Sequence, residues 1–281
     1  NAIQSLVKIY QNWVPNEKIL KTNLWSSELA KLTSNAFLAQ RISSINSISA
    51  ICEVTGADIR EVSKAVGFDS RIGSKFLNSG PGFGGSCFKK DILNIVYLSE
   101  FFGLPEVASF WESVIKLNNW QQHRISKLIV RKLFGTLSNK KIVILGFAFK
   151  ANTNDTRESP AINVCRDLLE EGASLVIHDP KVSSDQINFD LKLKSTKNLV
   201  EHNNSSDIEG KWYKENDLTI LFKEADAVVL LTEWNEYKNI NWEEVSENMR
   251  KPSWIFDTRS VTNPTEVRNA GLNLWRIGDG L

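Results

Sequence analysis

The residue types best suited to chemistry fall between Gly80 and Asp91, where the chain reads Gly-Pro-Gly-Phe-Gly-Gly-Ser-Cys-Phe-Lys-Lys-Asp. Four glycines and a proline in six residues give a backbone free to pass close to a ligand. An apolar-periodic segment (Ile92, Leu93, Ile95, Val96, Leu98) begins just after Ser86-Cys87, so the loop delivers a cysteine to the start of a helix. Peptide N–H groups and the helix dipole there favour a thiolate, and Lys89 and Lys90 add positive charge within one turn. Cys87 is therefore the expected nucleophile. Asp91, four residues on, shares its helix face and would reach a water attacking an acyl group on the sulfur.

The other two cysteines, Cys52 and Cys165, sit among Ile, Val and Leu in helix-like segments and are expected to be buried apolar residues. Lys31 and Asn35 lie one turn apart on the same stripe as Leu38, Ile42 and Ile45. A lysine on an apolar stripe is partly desolvated, which suits it to act as a base or as an ammonium aimed at developing negative charge. The plainer alternative is a lysine that extends to solvent. Arg71, in the turn Phe68-Asp69-Ser70-Arg71-Ile72-Gly73, is by default a surface arginine.

These groups must be held by a chain of 281 residues, long enough for two cores. Its 34 basic and 33 acidic side chains nearly cancel, which argues against a nucleic-acid footprint or a polybasic membrane segment. Apolar runs such as 142–149 are strand-length, far short of the roughly 20 residues that span a bilayer. Three cysteines without a framework and no signal-peptide pattern point to a reducing cytoplasm, and no cluster suggests a metal. A start at Asn1 with a single methionine, Met249, suggests a piece of a longer protein.

Residues 1–135 read as helix and loop. A short amphipathic stretch containing Leu6, Ile9 and Trp13 is followed by a long helix from about Trp25 to Val54, which Gly56 is placed to end. Apolar residues wrap most of its circumference and its polar residues are largely serines, so it is expected to be buried against another helix or its own symmetry mate. Asp58 and Glu61 open a shorter helix and Gly67 ends it; the Cys87 helix runs to about Gly103, and another spans 106–134. Gly135 to Asn139 is the hinge by composition.

Residues 136–281 change period. Strands are expected at 141–149, 174–178, 227–231, 254–256 and 274–277, alternating with helices at 160–171, through Leu221 and Phe222, at 242–249 and at 265–269, with a polar excursion at 183–216. The fold class is thus α/β, an all-helical domain followed by a Rossmann-like parallel sheet covered on both faces. Phe149-Lys150, Asp155-Thr156-Arg157 and Asp257-Thr258-Arg259 all follow strand ends, where ligands of such sheets bind, so cations collect where a phosphate would sit. Gly146-x-Ala148-x-x-Ala151 is a degraded dinucleotide fingerprint lacking the second glycine, so a phosphate held by Lys150 is favoured over a dinucleotide on this turn.

The segment Trp25-Ser26-Ser27-Glu28-Leu29-Ala30-Lys31-Leu32, the run from Asn35 to Ala50, the Cys87 loop and Ile144-Leu145-Gly146-Phe147-Ala148-Phe149-Lys150 carry a resemblance. Across nearly its whole length the chain resembles the UDP-glucose 6-dehydrogenases, more closely than the related UDP-N-acetylmannosamine and GDP-mannose dehydrogenases. The resemblance implies a helical dimerisation domain, a UDP-binding domain, and a family amino-terminal domain, carrying the nicotinamide fingerprint and an assisting glutamate, that this chain lacks. It implies oxidation of the sugar C6 alcohol of UDP-glucose to a carboxylate with two NAD, through a thiohemiacetal and then a thioester on Cys87. Lys31 and Asn35 would stabilise the oxygen anion and Asp91 would help water hydrolyse the thioester. Phe149, Lys150 and Arg259 would hold the UDP, and the loop Asn78, Ser79, Gly80, Gly82, Phe83 and Gly84 would wrap the sugar nucleotide. Asn78 stands where animal relatives have lysine. Arg71 would reach the substrate of a neighbouring subunit in a homo-oligomer, and Arg157 would touch NAD. The alternative is a nucleotide-sugar-binding or regulatory subunit without redox chemistry, against which stands the retention of Cys87, Lys31, Asn35 and Asp91.

Overall fold

The computed structural model describes residues 2–196 and 210–280. The first half is helical: α1 (Ala2–Tyr10), α2 (Leu24–Thr55), α3 (Ile59–Gly67), α4 (Phe88–Phe101) and α5 (Pro105–Lys132). Asn23 caps α2 by accepting the Ser26 N–H at 2.8 Å, and Gly56 ends it in the left-handed conformation, φ 81°. Asp58 caps α3 through the Arg60 N–H, and Pro105 opens α5, where its missing donor is harmless.

Long α2 packs on α4 and α5 along a seam of small residues, Ala36, Ala39, Ser43, Asn46, Ser49 and Cys52, repeating at three and four positions. Around Ala36 and Ala39 the helices close over Phe83, Ile92, Ile95, Trp111, Val114 and Ile115. Within the chain α2 is buried along that seam, while Trp25, Leu29, Phe37, Ile48, Ile51 and Val54 are exposed. Ala36, Ala39, Ser43 and Ser49 face the chain's own helices, because small side chains let the backbones approach, while most of the bulky residues lie on the outer face.

The second half holds β1 (Lys141–Leu145), α6 (Pro160–Glu170), β2 (Ser174–His178), α7 (Ser184–Leu191), β3 (Lys211–Lys214), α8 (Leu218–Leu221), β4 (Ala227–Leu230), α9 (Trp242–Asn248), β5 (Trp254–Asp257), α10 (Pro264–Asn269) and β6 (Asn273–Arg276). All pairings are parallel, in the order β3-β2-β1-β4-β5-β6. Strand order reverses between β1 and β4, the place where open parallel sheets bind ligands. The central strands are apolar on both faces, as a doubly covered sheet requires.

The polar excursion at 183–216 contains a helix and a strand: α7 is capped by Ser183, and β3 pairs with β2 while Trp212 is fully buried. One buried side chain in a four-residue strand of Lys-Trp-Tyr-Lys leaves little periodicity to read. The part of that excursion at 197–209 lies outside the described residues. Strand β1 ends at Leu145, four residues earlier than its apolar run suggests, because 146–149 turn over the carboxyl end of the sheet as a loop in which Phe147 and Ala148 are buried and Phe149 half-buried. Helix α5 joins the halves: Trp111 and Val114 belong to the helical core, Ile125 and Ile129 to that of the sheet, and Leu137 beyond it is fully buried.

Candidate functional site

Three of the expected groups meet where α2 crosses the start of α4. The Asp91 carboxylate, 2% exposed, accepts hydrogen bonds from the Lys31 ammonium and, at 2.5 Å, from the Asn35 amide. Burial pushes its carboxyl up, but the bonds from Lys31 and Asn35 and the charges of Lys31 and Lys90 outweigh this and hold it below the usual carboxylate range. The expected desolvation of Lys31 is not found: its side chain is 58% exposed.

Cys87 occupies the N-cap of α4 and is exposed; its Sγ lies 3.5 Å from Ser86 Oγ. Its carbonyl accepts the Asp91 N–H at 2.9 Å, so thiol and carboxylate stand one helical turn apart. Arg157 lies beside this loop, its carbonyl accepting the Gly85 N–H at 2.8 Å, and it is paired with Asp155 at 2.7 Å. Its guanidinium is held above its ordinary range first by Asp155 and then by the field of Cys87. Cys165, by contrast, is fully buried, and burial pushes its thiol far up.

The loop before Cys87 runs along the ends of β1 and β5. Gly80 passes against Arg259, and Gly84 against Phe149 and the Glu158 carbonyl. Arg259 donates from Nε to the Leu231 carbonyl at 2.8 Å and from Nη2 to that of Phe149 at 3.3 Å, with Glu233 3.2 Å away. Burial holds its guanidinium below the arginine range, partly offset by Glu233. Asn78, Ser79, Arg259 and Ser260 line one cavity of about 370 Å³ with Arg60 and Glu233. Lys150 is exposed, its ammonium 5.4 Å from the Phe149 ring. Phe83 is buried edge-on against Phe88. Arg71 is not brought to these groups; its side chain is 87% exposed and pairs with Asp69.

The degraded glycine turn after β1 is already occupied by an anion from the chain. Asp179, directly after β2, accepts the N–H groups of Phe147 at 2.8 Å and Ala148 at 3.0 Å. A Cβ on Gly146, at φ 93°, would lie 2.3 Å from that of Thr232. This turn does not fit a dinucleotide pyrophosphate, since the N–H groups that would cradle one are taken.

Sequence reasoning missed the side chains that grip the loop from beneath, Asn46, Asn118 and Gln121, each 5% exposed or less. Their signal was polar amides on the apolar faces of α2 and α5, where burial requires a partner. It also missed Asp179 and Glu233, whose partners come from other strand ends.

A parallel α/β sheet with cations at its strand ends, faced by a helical unit presenting a cysteine and a Lys-Asn-Asp cluster, defines a nucleotide-binding class of protein. The comparisons specify it: residues 25–120 match the central domain, and residues 143–264 the UDP binding domain, of the UDP-glucose/GDP-mannose dehydrogenase family, to which this chain belongs. It is 50% identical to "UDP-glucose 6-dehydrogenase 4" of Arabidopsis thaliana over 100% of this chain and 59% of that protein. It is likewise 50% identical to the UDP-glucose 6-dehydrogenase of Caenorhabditis elegans over 99% of this chain and 56% of that protein. The solved UDP-glucose dehydrogenase of Pyrobaculum islandicum superposes with a TM-score of 0.80 at 28% identity, over 100% of this chain and 56% of that one. The chain thus spans less than two thirds of these relatives' length.

Proposed function

We propose that this chain is the catalytic-cysteine and nucleotide-binding part of an NAD-dependent dehydrogenase that oxidises UDP-glucose to UDP-glucuronate. The observation that carries this is the convergence of Lys31, Asn35 and Asp91 one turn from the N-capping Cys87. Bound NAD would take up a hydride in each of the two oxidations, and Arg157, exposed beside the loop, is the group we assign to its pyrophosphate. The Cys87 thiolate adds to the C6 aldehyde carbon, forming the C–S bond of a thiohemiacetal, and Lys31 and Asn35 donate to the oxygen. Oxidation of that adduct leaves a thioester. Asp91, kept ionised by its two donors, takes a proton from the water that cleaves the C–S bond, releasing carboxylate and thiol.

Substrate is held by cations at the strand ends. Arg259 and Lys150 take the diphosphate, Asn78 and Ser79 line the same cavity as Arg259, and the backbone of 80–84 closes over the sugar. The exposed apolar face of α2 packs on its copy in a homodimer, and Arg71, free of its own chain's site, serves the neighbouring one. Among the described residues no helix is long and apolar enough to cross a membrane.

Cys87→Ala in the full-length enzyme tests the nucleophile. Four-electron turnover should vanish while UDP-glucose binding, followed by calorimetry, is retained; unchanged steady-state oxidation would reject the assignment. Cys87→Ser should accumulate a glucuronyl ester on the loop peptide, visible by mass spectrometry, because an alcohol's ester hydrolyses more slowly than a thioester.

A further inference from the structure

The loop that the proposed function lays over the nucleotide sugar is gripped by neutral side-chain amides. Asn118 meets Phe83 in both directions: the Phe83 N–H donates to Oδ1 at 2.8 Å, and Nδ2 donates to the Phe83 carbonyl at 3.2 Å. At Gly80 the work is divided, the N–H donating to Asn46 Oδ1 at 2.8 Å and the carbonyl accepting from Gln121 Nε2 at 2.9 Å. Asn46 and Gln121 are fully buried and Asn118 is 5% exposed. Between these anchors Gly82, at φ 130°, runs so near α5 that a Cβ there would lie 2.8 Å from Asn118 Oδ1.

The grip is itself oriented from further away. Arg124 Nε donates to Gln121 Oε1 at 3.1 Å, which fixes that amide with its N–H groups toward Gly80. Arg124 pairs in turn with Glu53 at 2.6 Å, and Glu53 accepts the Gly278 N–H at 2.9 Å. A neutral amide offers donor and acceptor together without a charge to bury, so an ionised carboxylate or a hydrocarbon of similar shape could not make the same paired contact.

We propose that Asn118, supported by Gln121 and Asn46, is a positioning residue that sets the height of the 80–83 loop over α5, and through it the affinity for the nucleotide sugar. The proposal rests on the assignment of that loop to UDP-glucose. Asn118→Asp makes the donor face titratable, and burial at this 5% exposed position raises the introduced carboxyl above the ordinary range, so that it is still protonated at pH 5 and ionised at pH 8. The protonated acid can still donate to the Phe83 carbonyl, whereas the carboxylate sets a second oxygen against it and pushes the loop away.

The test is calorimetric titration of the full chain with UDP-glucose at pH 5 and pH 8, wild type beside Asn118→Asp, together with hydrogen exchange at the Gly80 and Phe83 amides. The variant should bind within about threefold of wild type at pH 5 and about tenfold or more weaker at pH 8, with protection of Phe83 lost over the same range. A variant-to-wild-type ratio independent of pH would overturn the proposal, because general loss of stability does not make affinity titrate. Should Asn118→Asp not fold, Gln121→Met removes the donor to Gly80 without adding charge; unchanged affinity and unchanged Gly80 protection there would overturn it equally. If wild type fails to bind UDP-glucose, the functional assignment fails, and the exchange of Gly80 and Phe83 in the variants still decides whether the amides hold the loop.

Discussion

Asp91 keeps its charge in the interior because two donors from α2 reach it, and this couples a catalytic assignment to stability. Its carboxyl lies below the ordinary range in the folded chain, so its contribution to stability is complete above about pH 4, where the unfolded carboxyl is ionised, and is lost as pH falls through the folded value. Asp91→Asn should therefore melt below wild type at pH 7, with the gap closing toward pH 3; a gap independent of pH would show that the Lys31 and Asn35 bonds do not favour the ionised form. The arginines offer a second residue-scale comparison. Arg60, Arg71, Arg157 and Arg259 each follow an aspartate by two positions, and each donates its backbone N–H to that aspartate. The first three also return the guanidinium to the same carboxylate. Arg259 points elsewhere because Thr262 occupies Asp257 Oδ2 through its N–H and hydroxyl, at 2.8 and 2.7 Å. Thr262→Val should let Arg259 turn back to Asp257 and weaken UDP-glucose binding by about threefold to tenfold, the worth of one charge-assisted contact; calorimetry with unchanged affinity would refute this.

At the scale of elements, the turn after β1 shows how tightly strand ends are fitted. Gly146 has both a left-handed backbone and no space for a methyl against Thr232, whose hydroxyl donates to the Ala148 carbonyl at 2.6 Å. Gly146→Ala should lower stability by about 2–4 kcal/mol, combining overpacking with backbone strain, and the denaturant midpoint would measure it. A loss below about 1 kcal/mol would mean that β4's end moves aside easily. Long α2 divides its labour between two faces: its small seam fits the chain's own helices, and its bulky face, with Ile48, Ile51 and Val54, stays exposed, Phe37 there stacking on Trp111 with ring centroids 5.8 Å apart.

At the scale of the whole molecule, that exposed face and the cavity proposed to hold the nucleotide sugar each predict an observable. Sedimentation should show a dimer at micromolar concentration, and Phe37→Glu with Ile48→Glu should shift it to monomer, since charges on an apolar interface are costly; a wild-type monomer would count against the α2 interface. UDP-glucose at 100 times its Kd should raise unfolding free energy by about 2.7 kcal/mol through mass action, read as a higher melting temperature. NAD should give no comparable rise on the chain alone, because the Gly146 turn is filled by Asp179. A large NAD-induced shift would contradict that.

The sequence by itself determined the order of elements that carry strong periodicity, the cysteine at a helix start, and the placing of Phe149, Lys150 and Arg259 at strand ends, because each is a local pattern of spacing and punctuation. Lys31 and Asn35 could be put on one stripe of α2 from their spacing alone. That their common partner would be Asp91, 60 and 56 residues away respectively, was decided by how α2 crosses α4. Packing likewise chose which face of α2 turns inward, since a helix apolar nearly all round has no preferred side until its neighbours are known. The strand at 211–214 was hidden because its pairing with β2 and the burial of Trp212, which fix it, are tertiary facts. The same holds for Asn46, Asn118, Gln121 and Asp179. A polar side chain announces in sequence only that it needs a partner, and the backbone groups it satisfies come from loops that the fold alone brings within 3 Å or so.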